Sequence, residues 1–153
     1  MKNHRIEIAP ATARERAWAA NLLARSEPWT TLGVTLRQCR RNCHDPEYRL
    51  YVARVSDRPR GVLILDPRGV AGSPYVKSIA VDPASRGHGI GATLMAFAER
   101  LSAARARHMF LCVSSFNTRA RTFYRRLGYR QVGRFKDYLL TGADELLMHK
   151  RLG

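Results

Sequence analysis

The residues best suited to chemistry stand together in Val81-Asp-Pro-Ala-Ser-Arg86-Gly87-His88-Gly89-Ile90-Gly91-Ala92. A strand pattern ends there, glycine takes every second position from 87 to 91, and a helical pattern begins. Backbone N–H groups in such a turn converge on one concavity. The helix start adds unpaired N–H groups and partial positive charge. The chemistry offered is anion binding, of a kind that suits a pyrophosphate. Glycine lets phosphate approach the backbone with no Cβ in the way, and Arg86 can add a charged contact. His88, inside the turn, faces solvent or phosphate rather than performing catalysis. The dinucleotide fingerprint needs one more glycine than this segment has, and a P-loop needs a Lys that is absent. A glycine-rich helix entry without a ligand remains open on spacing alone.

Other chemistry-bearing residues are sparser. Cys39, Cys43 and His44 are close in sequence, but a zinc site needs four ligands and no further partners stand out, so no metal is expected. Asn117, Ala120 and Tyr124 fall at i, i+3 and i+7, on one helix face. Phe123 reads as a core aromatic. Tyr124 reads either as core or as a hydroxyl presented to a site.

The elements that position these residues follow from pattern. Ile6 to Ala9 reads as a strand. Thr12-Ala-Arg-Glu15 is a capping box that opens a helix to about Arg25, and Thr35-Leu-Arg-Gln38 opens a second, shorter one. Arg49 to Val55 and Gly61 to Leu65 read as paired strands around a turn at 56–60, and 66–73 reads as a loop. Tyr75 to Val81 is the next strand. A helix from about Gly89 to Ala104 buries Ile90, Leu94, Phe97, Ala98 and Leu101. Met109 to Ser114 is a buried strand. Thr118 to Leu127 is a helix stopped by Gly128, and Arg130 to Phe135 and Glu145 to Arg151 are strands joined by a loop. The order β-α-α-β-β-β-α-β-α-β-β implies an α/β fold with a mixed sheet, formed by one domain over 1–153.

The 153 residues suit one domain that needs no disulfide or metal staple. No apolar run is long enough to span a membrane, no signal-peptide pattern opens the chain, and three cysteines form no disulfide framework. A cytoplasmic location is the expectation. The net charge is +15, and 23 of the 27 cationic residues are arginine. Attraction to an anionic ligand explains this, and so does a bias toward arginine at tolerant surface positions. No aromatic–basic RNA motif or recognition helix accompanies the charge, so nucleic acid is not the expected partner.

Arg86-Gly-His-Gly-Ile-Gly91 resembles the [QR]-x-x-G-x-[GA] signature of the GNAT acetyltransferases. Ser78 to Pro83 looks like that family's fourth strand. Cys112-Val-Ser-Ser-Phe-Asn117 with Ala120, Tyr124 and Leu127-Gly-Tyr129 looks like its second cofactor segment. Asp144 to Lys150 is similar to its last strand. The resemblance implies an acetyl-CoA-dependent N-acetyltransferase acting by direct attack of a primary amine of a protein N-terminus, a lysine or a small molecule. The alternative is a catalytically silent CoA-binding sensor or partner module.

The resemblance also implies roles. The 86–92 turn holds the pyrophosphate. A backbone N–H near Ile79, Ala80 or Val81 supplies an oxyanion donor, on a strand that splays from its neighbour to pair with pantetheine. Asn117 touches the pantetheine arm, and Tyr124 is the acid for the leaving thiolate. Arg121, Arg125 and Arg126 are offered to a 3′-phosphate or simply to solvent. N-terminal acetyltransferases of the family carry a Glu on the fifth strand where Cys112 stands here. The general base is therefore sought at Glu27, beside Pro28-Trp29, or at His44, Asp45 or Asp137. The edges of the last two strands invite a homodimer.

Overall fold

A computed structural model describes residues 4–153. Strand β1 (Ile6–Pro10) leads into helix α1 (Ala13–Ala24), a single turn α2 (Trp29–Leu32) and helix α3 (Leu36–His44). Both capping boxes form. The Thr12 hydroxyl accepts from the Glu15 N–H at 3.2 Å, and the Glu15 carboxylate accepts from the Thr12 N–H at 2.9 Å. Thr35 and Gln38 repeat the exchange at α3. The turn α2 has no counterpart in the sequence pattern and closes on Gly33 in the left-handed region.

Strands β2 (Arg49–Val55), β3 (Arg58–Val70) and β4 (Ser73–Val81) form an antiparallel meander. The expected loop at 66–73 is instead strand, because β3 runs on to Val70 and turns at Ala71 and Gly72, whose φ values are 48° and 82°. The β2–β3 turn has Ser56 and Asp57 in the same region, at 51° and 62°. Two successive left-handed residues match the twist of a hairpin, and here neither is glycine.

A short 3₁₀ turn (Pro83–Ser85) and helix α4 (Ile90–Ala103) connect β4 to β5 (His108–Ser114), its parallel neighbour. Helix α5 (Thr118–Arg126), β6 (Arg130–Leu140) and β7 (Ala143–Arg151) complete the chain. Sheet order is β1-β2-β3-β4-β5-β7-β6, a mixed sheet as expected. The final strands are longer than the sequence suggests and meet in a tight turn at Thr141 and Gly142 rather than a loop.

Each face of the sheet has its own core. One gathers Leu94, Met95 and Ala98 of α4 with Leu111, Val113, Leu146 and Met148. The other packs Ala19, Leu22, Leu23, Cys39 and Cys43 against Leu50, Val62 and Ile64. Leu101 departs from expectation at 46% exposed, because the buried stripe of α4 runs through Ile90, Leu94, Ala98 and Ser102 and leaves Leu101 to one side of it. Cys39 and Cys43 are core residues, and burial pushes the Cys43 thiol up to about 11. Arg54 of β2 clamps the Glu15 carboxylate with two bonds of 2.5 and 2.6 Å, which fixes α1 to the sheet. Among the described residues no helix is long and apolar enough to cross a membrane. Edge strand β6 exposes Val132, Phe135, Tyr138, Leu139 and Leu140.

Candidate active site

The sheet opens in its middle. Strands β4 and β5 pair only at Tyr75–Phe110 and Val76–Leu111. Leu65 of β3 faces Val76 and Ile64 faces Ser78, so Lys77 is an extra residue in β4. Such a bulge bends its strand and increases the twist. Beyond it β4 leaves β5, and backbone groups of β4 toward Val81 have no strand partner on that side. The wedge holds a cavity of about 1020 Å³, lined by Ile79, Ala80 and Val81 on one flank and by Cys112, Val113 and Ser114 on the other.

The glycine turn forms one end of this cavity. Asp82 ties its base: the Asp82 N–H donates to the Arg60 carbonyl at 2.7 Å, and its carboxylate accepts from Arg60 at 3.2 Å and from the Ala84 N–H at 3.3 Å. Gly87 and Gly89 both have φ near +80°, which favours glycine. A Cβ on either would meet nothing within 4 Å, so their constraint is backbone conformation over open space. The first backbone bond into α4 runs from Thr93 to Gly89. The N–H groups from Gly87 to Ala92 therefore lack a protein acceptor among the described residues, as an anion cradle requires.

Arg86, Gly87, Gly89, Ile90, Gly91 and Ala92 all line the cavity. His88 does not; its side chain is exposed and its Nδ1 lies 3.2 Å from the Ser85 carbonyl. Gly91 has a packing role too, since a Cβ there would sit 3.3 Å from the Phe123 ring.

Asn117 and Tyr124 reach the cavity from α5. Asn117 is not in the helix but caps it, its Oδ1 accepting from the Ala120 N–H at 3.2 Å. That leaves its amide N–H₂ for the cavity. Tyr124 is 7% exposed and Phe123 is half-buried, so the expected division into core Phe and presented Tyr is reversed in degree, although both line the cavity. Burial holds the Tyr124 phenol well above its usual range. Arg119 lines the cavity, Arg121 donates to the Ser115 carbonyl at 3.1 Å, and Arg125 and Arg126 are exposed.

The base candidates separate. Glu27 lines the cavity, but its Oε1 accepts from the Thr30 and Thr31 hydroxyls at 2.6 and 2.8 Å, which hold the carboxyl below its usual range. A carboxylate stabilised in that way is a weaker base. His44 and Asp45 line a separate depression with Pro10 and Arg49. The Asp137 carboxylate accepts from the Gly142 N–H inside the β6–β7 hairpin and is not a cavity residue. Burial raises the Cys112 thiol, which suits a small neutral residue rather than a nucleophile.

Sequence reasoning missed Glu145 of β7. It is 7% exposed, lines the same cavity and accepts from the Ser114 hydroxyl at 2.6 Å. Burial raises its pKa, partly opposed by that hydrogen bond. The one signal in the sequence was a carboxylate beside the apolar Leu146-Leu147-Met148 run; its place opposite Ser114 comes from the strand pairing. Tyr75, on the same cavity wall, has its phenol raised by burial.

Comparison with known proteins agrees with this geometry. Residues 12–129 match the acetyltransferase (GNAT) family. Over 79 residues the chain is 39% identical to the N-alpha-acetyltransferase RimI of Mycobacterium tuberculosis, covering 51% of this chain and 49% of that relative. The chain thus matches about half the length of that protein. A GNAT-family structure from Desulfovibrio desulfuricans superposes with a TM-score of 0.84 at 17% identity, covering 97% of this chain and 100% of the other. An aminoglycoside 6′-N-acetyltransferase complexed with coenzyme A superposes at 0.75 with 17% identity, covering 95% and 96%. These two likenesses establish the fold. The family match covers most of the chain, and the chain belongs to the acetyltransferase (GNAT) family, whose enzymes use acetyl-CoA as acetyl donor.

Proposed function

We propose that this chain is an N-acetyltransferase that moves an acetyl group from acetyl-CoA to a primary amine within the β4–β5 wedge. The observation that carries this is the convergence, on one cavity, of the free N–H groups of Gly87 to Ala92, the unpaired edge of β4 and Tyr124. The residues present fit the donor: an anion cradle for pyrophosphate, a strand edge for the amide-bearing arm, and a cavity wall that includes Tyr124 and Cys112.

Each group then has a task. The turn and Arg86 hold the pyrophosphate. A backbone N–H among Ile79, Ala80 and Val81 polarises the thioester carbonyl. The Asn117 amide steadies the arm. Tyr124, held protonated by burial, donates to the sulfur as it departs. A phenol is a weaker acid than a thiol, so this is chiefly a hydrogen bond to developing charge. Glu27, on the acceptor side, offers negative charge to an incoming ammonium.

The acceptor is a primary amine of a protein N-terminus, a lysine or a small molecule; similarity to an N-alpha-acetyltransferase makes an N-terminal peptide the first to try. The same reading includes a cytoplasmic enzyme and a second copy along β6. A silent CoA-binding module is the second reading, favoured by the neutral Cys112 where relatives carry a carboxylate. The test is thiol release from acetyl-CoA with alanine-initiated peptides, polyamines and aminoglycosides, beside a thermal shift with acetyl-CoA. Release with an amine supports transfer. A thermal shift with no release supports the silent module.

A further inference from the structure

We propose that Glu145 takes the proton from the acceptor ammonium, directly or through one water. This rests on the cavity being the transfer site. A buried carboxylate is ordinarily matched by a cation. Glu145 is 7% exposed and forms no ion pair among the described residues. Its Oε2 is held by the Ser114 hydroxyl at 2.6 Å. Its Oε1 has no hydrogen-bond partner there, yet the enclosed side-chain polar atom left unpaired is Arg121 Nε, so Oε1 is not sealed off. The carboxylate is anchored at one oxygen and offers the other to the cavity it lines.

Its surroundings keep the charge change local. From β4 and β5 it faces Tyr75 and Cys112, both held neutral by burial. Its register partner on β6 is Phe135. The neighbouring Asp144 pairs outward with Arg134 at 3.0 Å. Lys77 lines the cavity, but its ammonium lies 4.9 Å over the Tyr48 ring. Desolvation shifts Glu145 upward, toward the pKa that lets a carboxylate accept a proton near neutrality. Glu27 is shifted the other way.

The step balances. The ammonium gives one proton to Glu145, and the freed nitrogen bonds to the thioester carbonyl carbon. The carbon–sulfur bond breaks, and the nitrogen's second proton ends on the sulfur beside the Tyr124 hydroxyl. Glu145 then returns its proton to solvent. The products are an N-acetyl amide, the free thiol of CoA and one proton.

The experiment compares wild type, Glu145→Gln and Glu145→Asp, using acetyl-CoA and the best amine from the panel above, across pH. Gln keeps the volume and an oxygen for Ser114, and Asp keeps a base on a shorter arm. Glu145→Gln should lose about 10²–10⁴-fold in kcat/KM near neutrality and recover toward wild type as rising pH supplies free amine. Glu145→Asp should lose less and keep the acid limb of the profile. Both should keep the wild-type thermal shift with acetyl-CoA. A Glu145→Gln protein within about threefold of wild type, with the same acid limb, overturns the assignment while transfer stands. A uniform loss with no recovery at high pH also overturns it, because that marks a structural role. A wild type that binds acetyl-CoA and acetylates no amine overturns the transfer reading itself.

Discussion

The Ser114 hydroxyl donates to the Glu145 carboxylate at 2.6 Å across the β5–β7 ladder, and both residues line the cavity where β4 and β5 part. The fifth strand therefore presents a hydroxyl and a thiol, and the carboxylate comes from its neighbour. The cofactor end and the proton-handling end of the site are built on different strands, so they can be tested separately.

Cofactor binding should depend on the glycine turn. The glycines themselves are poor probes, because Gly87 and Gly89 need positive φ and Gly91 packs on Phe123. Arg86 is exposed and makes one long bond, 3.3 Å to the Val81 carbonyl. Arg86→Glu should leave the apo melting temperature nearly unchanged and remove most of the rise with acetyl-CoA, since only ligand bound to the native state gives that rise. An undiminished rise would place the pyrophosphate elsewhere.

Tyr124→Phe should keep the ring packing and acetyl-CoA binding and lower turnover by roughly 10²-fold, the low end for acid–base assistance, because thiolate is a fair leaving group. Tyr124→Ala should instead destabilise the fold by about 3–5 kcal/mol through a cavity. Near-normal turnover in Tyr124→Phe would make it a core aromatic only.

Glu15 gives a pH-dependent stability term. Arg54, which hydrogen-bonds the carboxyl, is the largest cause lowering its pKa from 4.5 to about 2. A depressed carboxyl stabilises the fold above its unfolded pKa and stops doing so as pH falls through the folded value. Glu15→Gln should cost about 2–3 kcal/mol at pH 7, and the gap to wild type should narrow from about pH 4.5 down toward pH 2. Denaturant melts of both proteins across that range check it; a constant gap would contradict the linkage.

The proposed homodimer along β6 should be seen by light scattering at tens of micromolar if its Kd is about 1 μM, roughly −8 kcal/mol. Tyr138→Lys with Leu139→Lys on the exposed strand should return it to monomer. Monomer at all concentrations would remove the second copy from the account.

Much of the site was legible because its signal is local. Glycine spacing between a strand pattern and a helical pattern defines the 81–92 turn with no tertiary knowledge, and both capping boxes are local in the same way. The 66–73 segment was misjudged because Pro67, Gly69 and Gly72 are turn formers, yet β4 provides a partner that keeps β3 extended to Val70. Glu145 was missed for a related reason. Its significance depends on lying opposite Ser114 and near a bulge in β4, and neither relation exists until the strands are paired. The i, i+3, i+7 spacing puts Tyr124 on the helix face that lines the cavity, but how deeply it is buried depends on Tyr129 and Phe123, whose rings lie 6.1 and 5.2 Å away.

The most direct measurement is transfer of a labelled acetyl group from acetyl-CoA to an amine, followed by mass spectrometry of the acceptor and thiol assay of the donor. Equal amounts of N-acetyl product and free CoA thiol are expected, with transfer lost in Arg86→Glu. Thiol release without acetylated amine, or no release with any amine in the panel, would contradict it.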